Sequence, residues 1–167
     1  MTQRHHDETL HNERTALEEI ERSIMQISWL AQRQFMQLLD DERFRLTLPQ
    51  FYTLLHLEQT GTACKMSDLA EATHQSAASL TGVVDRLRDK QLIERLRDER
   101  DRRQVMVVVT TQGRELIGEI KQARHDQMQM ALAHLDDPEI DALMILLDRV
   151  LAGMVRTLER AESGRLA

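Results

Sequence analysis

The sequence predicts a mainly α-helical fold interrupted by one small β-hairpin. Three observations carry that prediction. Apolar residues recur at spacings of three and four through both end regions of the 167-residue chain. One adjacent pair of short runs, Leu92 to Arg97 and Val105 to Val109, alternates or is β-branched in the manner of strands. Two prolines and six glycines leave little scope for a loop-rich sandwich.

The elements follow in order. Residues 1–15 are polar and histidine-rich with no apolar period, and read as a flexible tail. Leu17, Ile20, Ile24, Ile27, Ala31, Phe35 and Leu38 then mark a long amphipathic helix, whose stripe is widened by Met25, Trp29, Met36 and Leu39. Thr47-Leu48-Pro49-Gln50 is a capping box, with proline tolerated in the first turn, and its helix carries Phe51, Leu54, Leu55 and Leu57 before stopping near Gly61. Ser67 is placed to cap a short helix through Leu69, Ala70 and Ala72. Thr73-His74-Gln75 breaks it, and Ser76 caps the next helix, which runs to about Lys90.

In that helix Ala77, Leu80, Val84 and Leu87 form the expected buried row, while Ser76, Ser79, Gly82 and Arg86 share the opposite side. A solvent-facing helix would normally carry longer charged side chains there. After the two strands, joined by the charged tip 98–104, Thr110 or Thr111 caps a long helix with Leu116, Ile120, Met128, Ala131 and Leu135 on its apolar side. Asp137-Pro138 restarts the chain, with Asp137 expected as the cap and the proline at the first helical position. The last helix carries Ile140, Leu143, Met144, Leu147, Val150, Leu151, Met154 and Leu158, a recurrence that suggests a helix–helix seam.

Charge is distributed unevenly along the chain. With 28 acids and 22 bases the net charge is −6, yet residues 85–103 hold eight bases against six acids. A locally basic element on an acidic body points to one polyanion-facing surface. Helix, turn, helix, strand, basic tip and strand together make a winged helix-turn-helix. One helix is sized for the major groove, and the hairpin is placed to reach phosphates or the minor groove. Ser76, Ser79 and Gly82 are small enough to let the backbone approach base edges, and the tip arginines supply charge-assisted bonds to phosphate.

The stretch "LAEATHQSAASLTGVVDRLRDKQLIERLRDERDRRQVMVVVTTQG" resembles the DNA-binding core of the multiple-antibiotic-resistance regulator (MarR) family. The hairpin's "DRRQVMVVVT" matches the family's D-x-R-x-x-x-x-x-L-T signature at Asp101, Arg103 and Thr110, with Val109 replacing the usual leucine. The resemblance implies a lobe at 47–110, a helical dimerisation region at 16–46 and 111–162, and an obligate homodimer reading a pseudo-palindromic operator in double-stranded DNA. It also implies a repressor released by a small, often phenolic, effector. Carried over by position, Ser76, Ala77, Ser79 and Arg86 lie on the recognition helix, and Arg100, Arg102 and Arg103 lie in or beside the wing. Asp101 is expected to shape the hairpin by pairing with an arginine, so Arg100 and Arg102 are the favoured DNA-facing pair. Trp29, Tyr52 and His56 are the candidate effector contacts.

Other readings are weaker. "HHDETLH" at 5–11 is not an H-E-x-x-H zinc motif, so no metal or other cofactor is expected. Cys64 is read as small and inert, and a single cysteine forms no internal disulfide. That cysteine count and the absence of an export leader predict a cytoplasmic location, and no run approaches the length of a membrane span. No phosphate-cradling glycine loop, nucleophile elbow or C-x-x-C is present, so an enzyme is not expected. Five aromatics argue against single-strand or RNA recognition, which depends on stacking. The rival reading is an all-helical dimeric interaction scaffold without specific DNA binding.

Overall fold

The structure, a computed structural model, describes residues 2–97 and 104–163, with side chains from residue 15 onward and excluding residue 162. Its elements are α1 (Thr2–Asp40), α2 (Leu48–Thr60), β1 (Cys64–Lys65), α3 (Met66–Ala72), α4 (Ala77–Asp89), β2 (Ile93–Arg97), β3 (Val105–Val109), α5 (Thr111–Leu132) and α6 (Asp137–Ser163). The three strands form one antiparallel sheet in the order β1-β3-β2, with Ile93 opposite Val109, Arg97 opposite Val105, and Cys64 opposite Val107.

The chain divides into two compact units, 1–124 and 125–167. The first holds the hydrophobic core. Leu54, Leu69, Leu80, Val84, Leu87, Val107, Ile117 and Ile120 have no measurable exposure, and Leu39, Phe51, Leu57 and Ile93 are nearly as enclosed. The short helices α2, α3 and α4, the end of α1, the start of α5 and the small sheet therefore bury one face each against a shared centre. The second unit holds the end of α5 and all of α6, whose Met144, Ile145, Leu147, Leu151, Met154, Val155 and Leu158 are exposed.

Local chemistry explains the boundaries. Thr47 N–H donates to Gln50 Oε1 at 2.9 Å, so the expected capping box forms through its glutamine half. Helix α2 ends where Gly61 takes φ 67, a left-handed value that glycine adopts without steric cost, and its N–H closes on Leu57 O. Thr110, rather than Thr111, caps α5: its Oγ1 accepts from Gly113 N–H at 3.0 Å and donates to Gln91 O at 2.8 Å.

Several boundaries differ from expectation. Helix α1 starts at Thr2, well before its apolar period begins. Strand β1 was not expected: its two residues are too few to show a period, and pairing with β3 creates it. Consequently Lys65, not Ser67, occupies the N-cap of α3, and Ser67 Oγ donates to the Asp68 carboxylate. In α4, Val83 is buried and Ala77 is exposed, because the sheet and α2 cover a stripe rotated from the expected one. Asp136, not Asp137, caps α6. Its Oδ1 accepts from Glu139 N–H at 2.9 Å while Glu139 Oε2 accepts from Asp136 N–H at 3.0 Å, a reciprocal box that the adjacent Asp-Pro pair obscured.

Candidate nucleic-acid interface

Helix α4 enters the surface with its small residues uncovered. Ser76, Ala77 and Ser79 are all exposed at its first turn. Ser76 is the N-cap, with φ −68 and ψ 152, and its Oγ accepts from Ser79 N–H at 3.2 Å. The hydroxyl therefore satisfies an orphan helix donor while the residue sits at the outward end of the helix. Capping and nucleic-acid contact are compatible there, since the hydroxyl retains its own proton and a second lone pair.

Arg86 lies two turns further along and is exposed, but its Nε donates back to Gly82 O at 3.2 Å. Gly82 leaves open the space beside that guanidinium, where a Cβ would sit 3.6 Å from Arg86 Nη2. Reaching a phosphate requires only that one self-bond to be exchanged, an inexpensive change for an exposed side chain.

The bases of residues 85–103 are not equivalent. Arg95 Nη2 meets Asp85 Oδ1 at 2.9 Å, and Arg88 lies 3.6 Å from the same carboxylate and 3.3 Å from Asp89. Lys90 Nζ donates to Arg45 O, and burial, reinforced by the Arg45 charge, holds its pKa below the ordinary lysine value. Arg88, Lys90 and Arg95 thus organise the lobe, a division of labour that charge counting missed. Arg100, Asp101, Arg102 and Arg103 lie outside the described residues. The last described pair before them is Arg97 with Val105, at the tip end of the hairpin.

Two of the clefts bear on ligand binding. One of about 540 Å³ lies between the starts of α3 and α4 and the hairpin base, lined by Met66, Ala77, Thr81, Arg95 and Val105 among others. The other, about 500 Å³ and largely apolar, lies at the corner between α1 and α2, against Met36, Leu39, Asp40, Leu46, Leu48 and Pro49. The candidate effector residues do not line that second cleft. Tyr52 is exposed and meets Phe51 edge-on at 5.6 Å, and His56 is half-buried one turn later. Trp29 is exposed on α1, with the Arg33 guanidinium 5.3 Å from its ring. Among the described residues no group of three or more His, Cys, Asp or Glu is disposed to hold a metal ion, and no helix is long and apolar enough to cross a membrane. The side chains of the 5–11 histidine tract lie outside the described residues.

Residues 46–105 match the model of the MarR family. The chain is 28% identical over 139 residues to the uncharacterized HTH-type transcriptional regulator YfiV of Bacillus subtilis, covering 83% of this chain and 86% of that protein. It is 29% identical over 107 residues to the HTH-type transcriptional repressor NicR of Pseudomonas putida, covering 64% and 67%. Its fold superposes on a mutant of S. aureus MepR with a TM-score of 0.74 at 23% identity, over 80% of this chain and 97% of the other.

Proposed function

We infer that this chain, whose residues 46–105 form a MarR-family domain, is a transcriptional regulator that binds duplex DNA through that lobe. The observation that carries the reading is the family match over the same stretch in which α4 presents Ser76, Ala77 and Ser79 uncovered beside the hairpin. A helix end with small hydroxylated side chains admits the backbone to the major groove, and the neighbouring cations bind phosphate without regard to sequence. Relatives over most of the chain are named as transcriptional regulators rather than enzymes.

The finer reading is a homodimeric repressor on a pseudo-palindromic operator, released by a small apolar or aromatic effector. NicR's name as a repressor supports the direction of regulation, and the exposed apolar side of α6 supports a second copy. The cleft between α1 and α2 is a fitting effector seat, being largely apolar and adjoining α2, with Tyr52 and His56 further along that helix. Release then follows from an effector that prefers a lobe spacing other than the ~34–36 Å of one helical turn. The interaction-scaffold reading leaves the lobe's family match without a role.

Titration of a fluorescent duplex, enriched by the wild-type chain from a randomised library, tests the reading at several salt concentrations. Log affinity should fall steeply and linearly with log salt, at about −0.9 for each phosphate neutralised. Arg100→Ala and Arg102→Ala should each weaken binding to all sequences and reduce that slope by about one per lobe. Salt-independent binding that ignores both substitutions would overturn it.

A further inference from the structure

We propose that Gln75 is a positioning residue for DNA reading, locking the turn before α4 onto α2 through a part-buried amide–hydroxyl link to Thr53. The proposal rests on the DNA-binding reading above and says what holds the reading helix at its working angle.

Gln75 immediately precedes the N-cap Ser76 and is tied to both preceding helices. Its backbone N–H donates to Ala70 O at 2.9 Å, fixing the turn to α3. Its side-chain Nε2 donates to Thr53 Oγ1 at 3.0 Å, across 22 positions of sequence, and to Thr73 Oγ1 at 3.1 Å. Thr53 is fully buried in α2.

The proton bookkeeping makes the amide specific. Thr53 Oγ1 donates its hydrogen to Pro49 O at 2.7 Å, and Thr73 Oγ1 donates its own to Leu69 O at 2.6 Å. Both hydroxyls therefore present only lone pairs toward position 75, and a two-proton donor satisfies both at once. A carboxylate of the same shape would meet two acceptors, and a thioether would meet them with no proton.

The same link contributes little to net stability. Gln75 Oε1 is buried without a hydrogen-bond partner, and an unpaired buried acceptor costs about as much as a neutral hydrogen bond contributes. Beside it, His74 is held at φ 51, in the left-handed region that L side chains avoid. A turn carrying both features is held by its neighbours rather than by its own preferences. What remains is geometric: the amide fixes the N-terminus of α4 relative to α2. Base readout through paired donors and acceptors tolerates displacements of only about half an ångström.

The test compares Gln75→Met, Thr53→Val, Thr53→Ser and the Gln75→Met/Thr53→Val double variant in the full chain. Each is measured on the library-enriched duplex, on a mixed-sequence duplex, and in thermal melting. Gln75→Met and Thr53→Val should keep the wild-type salt slope and mixed-sequence affinity, while affinity for the enriched duplex falls on the order of tenfold, whatever the change in Tm. Thr53→Ser, which keeps the hydroxyl, should retain wild-type selectivity. The double variant should lose no more than either single one, because both break the same link. Unchanged selectivity in Gln75→Met, equal losses in Thr53→Ser and Thr53→Val, or losses that simply track Tm would overturn the proposal. A wild-type chain that enriches no duplex would instead remove the DNA-binding reading, and this proposal with it.

Discussion

Asp85 on helix α4 and Arg95 on strand β2 form an ion pair at 2.9 Å, which ties the hairpin to that helix. Arg95 is only 28% exposed at its side chain, and its Nε is buried without a partner. The guanidinium therefore depends on Asp85 more than an exposed surface arginine would. Asp85→Ala should lower stability by about 1 kcal/mol, within the range for a partly exposed pair. Its larger effect should fall on the hairpin: amide hydrogen exchange at Leu96 and Arg97 should speed up while Leu54 is unchanged. Equal protection along β2 in the variant would show that strand pairing alone fixes the hairpin.

Gly113 marks a close approach of α5 to the residue that leads into β2. A Cβ there would lie 2.3 Å from Leu92 O and 2.7 Å from Val109 Cγ2, both far inside contact distance. The obstacle is mainly a backbone carbonyl, which cannot rotate away. Gly113→Ala, a substitution that ordinarily favours a helix, should here cost about 1–3 kcal/mol through forced displacement. Urea unfolding at constant m-value should register it as a lowered midpoint. A neutral or stabilised variant would mean that the start of α5 is not packed against the β2 lead-in as described.

These two contacts show where sequence reading stops. The helix order, the capping box at Thr47 and Gln50, the stop at Gly61 and the hairpin were legible, because each depends on residues within one or two turns. The family pattern likewise lies in one continuous stretch around α4 and the hairpin. Long-range partnership was not legible. Arg95 and Lys90 looked like neighbours in a basic run, and only tertiary contact assigns one to Asp85 and the other to Arg45 O. Strand β1 is two residues that become a strand only by pairing with Met106 and Val107. Gln75 read as a helix breaker, and its amide's partner in α2 carries no local signal.

Cys64 is buried in β1, and burial, with the nearby Asp68 charge adding to it, raises its thiol above the ordinary value of 9.0. The native state therefore holds that proton more tightly than the unfolded chain does. The associated stability is fully present below about pH 9 and is lost as pH rises through the higher native value. A thiol of this kind is a poor oxidant sensor, since the thiolate is the reactive form. Aromatic disulfide reagent at pH 8 should react at least about tenfold more slowly with the native protein than with the guanidinium-unfolded chain. Comparable rates would place the sulfur within reach of solvent and reopen redox control.

Helix α6 exposes Leu147 and Leu151 by 50% and 57%, together with Met144, Met154 and Leu158 at still lower or higher turns of the same helix. Side chains of this size leave an apolar surface greater than a single soluble copy normally tolerates, so the stripe calls for a cover. A second copy of the chain is the proposed cover, and burying a leucine there should stabilise association by about 1.5–3 kcal/mol per side chain. The double variant Leu147→Glu/Leu151→Glu places two charges in that surface. Since unit 1–124 has its own closed core, the variant should keep the lobe's cooperative unfolding. By sedimentation at micromolar concentration it should run as one copy where the wild type runs as two. Its affinity for the enriched duplex should fall toward the mixed-sequence level, because two lobes held together read two half-sites and a single lobe reads one. A wild-type chain that sediments as a stable single copy, with full duplex selectivity, would remove the dimer and with it the lobe-spacing account of effector release.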